Sequence, residues 1–258
     1  MTMKLTILGS GTCVPRRDRN ASSALVQADG RCILVDVGPG TLRRLVEAGF
    51  ELSDIDLLCL THVHPDHVSD LVPMIFAMKY PADRRRSKPF HILAGEGFGR
   101  FWEGLRRVFG RWIELDEGVL HIHELSVAGR DAIEVEGIRF DTTPACHNPE
   151  SIAFRVSDAS GTGIVFSGDT DVCGTVVDLA RDADVLVLEC ALPDELKVDG
   201  HLTPTSAGQM ATEARAKTLV LTHFYPECDD VDMASQCRRH FVGNLMLARD
   251  FMEIQVPQ

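Results

Sequence analysis

The run Thr61-His62-Val63-His64-Pro65-Asp66-His67 puts three imidazoles and a carboxylate into six consecutive positions, directly after the apolar segment Ile55-Asp56-Leu57-Leu58-Cys59-Leu60. The apolar segment reads as a short buried strand, so the cluster falls on the loop where a strand ends and a helix begins. His62 and His64 stand two apart in an extended segment and point to the same side, while Asp66 and His67 follow after Pro65 turns the chain. One pair is available for each of two metals, and imidazole and carboxylate are the ligands that zinc and its neighbours favour. The fold must therefore deliver further ligands to the end of this strand.

Three residues after later strand-like runs answer that need. His147 follows the run ending near Thr142, Asp169 follows Ile164-Val165-Phe166 in Ser167-Gly168-Asp169-Thr170, and His223 follows Thr218-Leu219-Val220-Leu221-Thr222. Each alone is an ordinary turn or cap residue; together they supply one ligand per strand. Further strands are expected at Lys4–Leu8, Ser23–Gln27, Cys32–Val35, His91–Ala94, Trp112–Leu115, Val119–Leu125, Ala132–Val135, Ile138–Thr142, Ser151–Ser157 and Val185–Leu188. Asp29-Gly30 signals a hairpin. Helices are expected over Thr41–Ala48, over Val68–Tyr80 with Pro73 a kink, and over Gly97–Phe109, Thr205–Ala214 and Val231–His240. Strands first, with helices entering between them, favour two mixed sheets covered by helices over one parallel sheet. His121 and His123 alternate along a strand without a nearby carboxylate and read as structural, whereas His91 and His240 suit a strand start and a helix end.

A chain of 258 residues with 45% hydrophobic content can bury a large core, and one domain spanning 1–258 is expected. The net charge, 26 − 38 = −12, opposes a surface built for tight nucleic-acid binding. The Pro81–Pro89 stretch is the best candidate for an exposed insertion, and its Arg84-Arg85-Arg86 run is a candidate contact for a substrate phosphate. Eight cysteines with no CxxC spacing read as reduced, buried thiols of a cytoplasmic protein. No segment approaches membrane-spanning length.

The chain resembles the metallo-β-lactamase-fold hydrolases, and within them the ribonuclease Z-like phosphodiesterase branch. The resemblance runs through Leu8-Gly9-Ser10-Gly11-Thr12, Leu34-Val35-Asp36-Val37-Gly38, the His62–His67 cluster, His147, Ser167-Gly168-Asp169-Thr170, Gly200-His201-Leu202-Thr203 and Leu221-Thr222-His223. It implies an αββα sandwich of two mixed β-sheets flanked by helices. It also implies two divalent metal ions, zinc first, with manganese or iron as alternatives. His62, His64 and His147 would hold one, Asp66, His67 and His223 the other, and Asp169 would bridge them. Asp36 would orient the ligand loop by hydrogen bonding.

The chemistry implied is attack by a metal-bridging hydroxide, with Glu189 and His201 forming a general-acid pair toward the leaving group; Asp66 is counted with them among the catalytic residues. A small or short phosphodiester is the expected substrate, with no stable nucleic-acid complex and, by resemblance, a homodimer. A lactone, thioester or sulfate-ester hydrolase of the same fold is the alternative, and a non-catalytic metal-binding module is a third. tRNA 3′ processing is disfavoured, because relatives that perform it carry a long tRNA-gripping arm between the positions of His147 and Asp169, and that interval here is short.

Overall fold

The computed structural model describes residues 3–80 and 82–256. Its strands are β1 (Met3–Gly9), β2 (Ser23–Ala28), β3 (Arg31–Val35), β4 (Leu57–Cys59), β5 (Phe90–Gly95), β6 (Leu120–Leu125), β7 (Asp131–Val135), β8 (Ile138–Pro144), β9 (Ile152–Ser157), β10 (Gly163–Phe166), β11 (Val185–Glu189), β12 (Thr218–Thr222), β13 (Asn244–Leu247) and β14 (Glu253–Val256). The α-helices are α1 (Thr41–Glu47), α2 (Pro65–Val68), α3 (Leu71–Lys79), α4 (Phe98–Phe109), α5 (Gly174–Leu179), α6 (Pro204–Glu213) and α7 (Met233–Arg238). One sheet runs β14-β1-β2-β3-β4-β5-β6 and the other β13-β12-β11-β10-β9-β8-β7.

Each sheet begins antiparallel and continues parallel. In the first sheet β3, β4, β5 and β6 pair in parallel, and in the second β10, β11, β12 and β13 do so. Parallel strands end on the same side of their own sheet, and the loop after β4 of the first sheet meets the loops after β10 and β12 of the second at the strands' C-terminal ends, where ligands bind in sheets of this kind. The Asp29-Gly30 hairpin joins β2 to β3, with φ of 46° and 79° at the two turn residues, as a twisted two-residue hairpin requires.

Alternation along the strands builds two apolar layers. Met3, Leu5 and Ile7 of β1, Val26 of β2, and Ile33 and Val35 of β3 face the second sheet, packing with Phe140, Phe154 and Val165. Their neighbours Leu25, Leu34 and Leu58 face the opposite way, into a layer with Leu45, Leu71, Met74, Phe98 and Trp102 from α1, α3 and α4. Val176, Val177, Met210 and Met233 of α5, α6 and α7 close the outer side of the second sheet. The αββα sandwich expected from the resemblance is the architecture observed.

Four local points differ from the expectation. Trp112–Leu115 is no strand: Gly110–Ile113 forms a turn of 3₁₀ helix directly after α4, with Trp112 exposed and Ile113 buried. Gly110 ends α4 at a φ of 56°, and β6 takes the place beside β5. Asp66 and His67 lie within the helical turn α2 rather than on a loop, since Pro65 starts that turn at its first position. β13 and β14 at the C-terminal end were not foreseen; β14 returns across the chain to pair with β1. Pro73 falls in the first turn of α3, where its missing N–H costs nothing. Among the described residues, no helix is long and apolar enough to cross a membrane.

Candidate metal centre

His62 and His64 leave the end of β4, Asp66 and His67 follow in α2, His147 comes from the loop after β8, Asp169 from the loop after β10, and His223 from the residue after β12. The structure brings all seven together in two adjoining sets, one of His62, His64, His147 and Asp169 and another of Asp66, His67 and His223. Within each set the donor atoms all lie within 4.8 Å of one another.

Asp169 joins the two sets. Its Oδ2 lies 3.7 Å from His62 Nε2 and 3.9 Å from His147 Nε2, while its Oδ1 lies 3.2 Å from His67 Nε2 and 3.4 Å from His223 Nε2. One carboxylate thus presents one oxygen to each set. His62 Nε2 and Asp169 Oδ1 are buried with no hydrogen-bond partner among the described residues. Such orphaned groups cost about 1–3 kcal/mol each in a dry interior, and one lies at each set, where a cation would satisfy it. The donor set therefore fits a dinuclear site of nitrogen and oxygen ligands.

The electrostatics agree. Burial, with the nearby His67 imidazole, pushes His62 down to about 2, so its ring is neutral and its lone pair is available. Burial acts upward on Asp66, but His223 and His67 outweigh it and hold that carboxyl at about 2. Burial also opposes the charge on Asp169, yet His223 and His67 keep it ionised, well below the ordinary carboxylate value.

Surrounding groups aim these donors. Asp36, at a φ of 59°, accepts from Thr61 N–H at 2.8 Å and from His67 Nδ1–H at 2.7 Å, which turns His67 Nε2 inward. His147 Nδ1–H donates to Gly200 O at 3.0 Å and so presents Nε2. Gly168, at a φ of 59°, passes so close to Thr61 that a Cβ there would lie 2.5 Å from the Thr61 Cβ; this contact locks the loop of Asp169 against the loop of His62. Asp36→Ala is expected to weaken metal binding by about 10–100-fold, the usual loss of an orienting partner, measured by competition with a chromogenic chelator. Unchanged affinity would remove Asp36 from this role.

Glu189 ends β11, and His201 lies in the loop before α6. His201 Nδ1–H donates to Glu189 Oε1 at 2.8 Å, and Glu189 also accepts from Thr170 N–H at 3.1 Å and Ala191 N–H at 3.0 Å. Three donors favour the charged form of this carboxyl, while burial outweighs them and pushes its pKa up. The His201 ring stacks on His223 with centroids 5.8 Å apart and reaches the same neighbourhood as Asp169 and His223.

Other sequence readings fared differently. His91 stacks on His121 and His123 at 4.9 Å and 5.3 Å between centroids, and parallel rings do not converge on an ion; a carboxylate unforeseen in sequence, Glu136, lies 3.6 Å from His91 Nε2. Arg85 pairs with Asp116, and the buried Arg86 donates to Lys88 O and Pro89 O, so both are occupied away from the centre. Pro81 and the Arg84 side chain lie outside the described residues. Cys13 and Cys146 are exposed rather than buried. Asn148 and Tyr225 escaped the sequence reading: Asn148 Nδ2 lies 2.8 Å from His64 Nε2, and the Tyr225 ring packs edge-on to His223 at 6.2 Å. Their only sequence signal is that each stands within two residues of a metal-site histidine.

Residues 3–245 match the family described as Anti-Pycsar protein Apyc1. The chain belongs to the Apyc1 family. This Apyc1-family chain is 25% identical over 305 aligned positions to ribonuclease Z of Methanothermobacter thermautotrophicus, covering 98% of this chain and 97% of that one. Among solved structures it is similar to the metallo-beta-lactamase fold protein YhfI from Bacillus subtilis, with a TM-score of 0.84 and 20% identity over 99% of this chain and 100% of that one. It is likewise similar to the short form of human tRNase Z, with a TM-score of 0.77 and 27% identity over 99% and 100%. The chain is thus a metallo-β-lactamase-fold protein related to ribonuclease Z, with a His/Asp site suited to metal-dependent hydrolysis.

Proposed function

We propose that this chain is a dinuclear metal-dependent phosphodiesterase acting on small, cyclic or short nucleotide-type diesters, with residues 1–258 working as one hydrolase domain in the cytoplasm. His62, His64 and His147 would hold one cation, Asp66, His67 and His223 the other, and Asp169 both. Zinc suits this donor set best, and manganese and iron accept the same ligands. When bound, two such cations lower the pKa of a water and offset the charge on a diester's non-bridging oxygens.

The observation that carries the reading is the Glu189–His201 pair, 2.8 Å apart at the margin of the shared carboxylate. Departure of an alkoxide from phosphorus needs a proton, and an imidazolium fixed by a buried carboxylate supplies one. Burial opposes the His201 charge, but the hydrogen bond and charge of Glu189 outweigh it and raise the His201 pKa above its ordinary value. Glu189 thus keeps the acid protonated and aims Nε2, since Nδ1–H is already engaged. Acyl substrates with good leaving groups have less need of such a group.

Small substrates are favoured over tRNA by the interval between His147 and Asp169, which holds little more than the β9–β10 hairpin. The alignment to the M. thermautotrophicus enzyme spans 305 positions against 258 residues here, so that relative carries segments this chain lacks. The net charge of −12 offers no general substitute for a basic arm. The test is a parallel assay of metal-loaded protein on an activated phosphodiester, a lactone, a sulfate ester and a precursor tRNA. Turnover of the phosphodiester alone supports the proposal, and preference for the lactone, the sulfate ester or the tRNA overturns it.

A further inference from the structure

Cys146 and Cys173 stand apart from the other six cysteines. Their sulfurs lie 2.7 Å apart, closer than unbonded sulfurs pack, with the Cys146 thiol directed at the Cys173 sulfur. A disulfide needs about 2.0 Å, so closure asks for a movement of roughly 0.7 Å. Cys146 is exposed and Cys173 is buried. Thr175 Oγ1, whose own proton goes to Pro144 O at 2.8 Å, lies 3.1 Å from Cys173 Sγ and is placed to accept the proton of that thiol.

We propose that Cys146 and Cys173 are an oxidation-sensitive dithiol, a modification site that takes small-molecule disulfides and closes to an intramolecular disulfide bond. Cys146, reachable from solvent, attacks the small disulfide as its proton passes to water; a mixed disulfide forms on Cys146 and one small thiol leaves. The Cys173 sulfur then attacks the Cys146 sulfur, the mixed disulfide breaks, and the second small thiol leaves. Two electrons and two protons pass from the protein thiols to the two small thiols released. Cytosolic disulfides are characteristically of this transient kind.

The pair sits where such a bond would matter. Cys146 precedes His147, and its backbone is already tied to the loop of Asp169: Cys146 N–H donates to Thr170 Oγ1 at 3.0 Å, and Asp171 N–H donates to Cys146 O at 2.8 Å. Cys173 begins α5 just beyond that loop. The new bond adds a covalent link between the segments that deliver His147 and Asp169. The chemistry of the thiols is independent of whichever ester the protein hydrolyses.

The test uses full-length, metal-loaded protein carrying Cys13→Ser, which removes the other exposed thiol. After incubation with glutathione disulfide and denaturation, two thiols should be lost together, and peptide mapping should find Cys146 joined to Cys173. Adding Cys173→Ser should leave glutathione trapped on Cys146, and adding Cys146→Ser should leave Cys173 unmodified. Full recovery of free Cys146 and Cys173, or equal glutathione attachment to Cys146 with and without Cys173, would overturn the proposal.

Discussion

Asp169→Asn should empty both metal positions together and take hydrolysis with them. The wild-type carboxylate turns Oδ2 toward His62 and His147 and Oδ1 toward His67 and His223. A carboxamide offers one oxygen and one NH₂, so one set faces a donor where it needs an acceptor, and the negative charge that offsets two cations is gone. Loss of a mere orienting partner costs about 10–100-fold in metal affinity, so loss of the shared donor should exceed about 10²-fold. Metal content by elemental analysis after gel filtration reads the result. Two ions per chain retained in Asp169→Asn would show that the two sets do not depend on this carboxylate.

His201→Ala should show the reverse pattern, with both metals kept and phosphodiester turnover reduced by about 10²–10⁴-fold, the usual contribution of a general acid. The loss should be smaller on diesters with activated leaving groups, which need no proton. Loss of metal instead would reassign His201 as a ligand, a role its approach to Asp169 and His223 makes worth testing. The pH dependence has a definite sign. The acid works while protonated, so the turnover rate falls as pH rises through the His201 pKa, which Glu189 raises despite burial. Glu189→Gln removes that charge, and the alkaline limb should move to lower pH. An unmoved limb in Glu189→Gln would separate Glu189 from the acid.

Much of the site was legible because its donors obey local rules. His62, His64, Asp66 and His67 are neighbours in sequence, and His147, Asp169 and His223 each follow a recognisable apolar strand. What escaped was whatever depends on packing between distant segments. Trp112–Leu115 has a strand-like composition but begins in the 3₁₀ turn after α4, while β6 takes the place beside β5; β14 is short and half exposed, so its strand character comes from pairing with β1. Glu136 stands beside His91 only because the β7–β8 turn of one sheet meets the starting ends of β3 and β5 in the other. The Cys146–Cys173 contact joins thiols 27 positions apart that share no motif.

The sequence alone determined which candidate donors cluster, their delivery from strand ends, and the two-layered alternation that buries Leu25 on one face and Val26 on the other. The resemblance implied how those donors divide; only the tertiary structure decided which oxygen of Asp169 faces which histidines, that His67 Nδ1–H rests on Asp36, and that His201 Nδ1–H rests on Glu189. The physical reason is range. Side-chain periodicity fixes where a residue points from its own strand, whereas distances of 3–4 Å between residues a hundred positions apart are set by sheet register and by two sheets packing on a shared core.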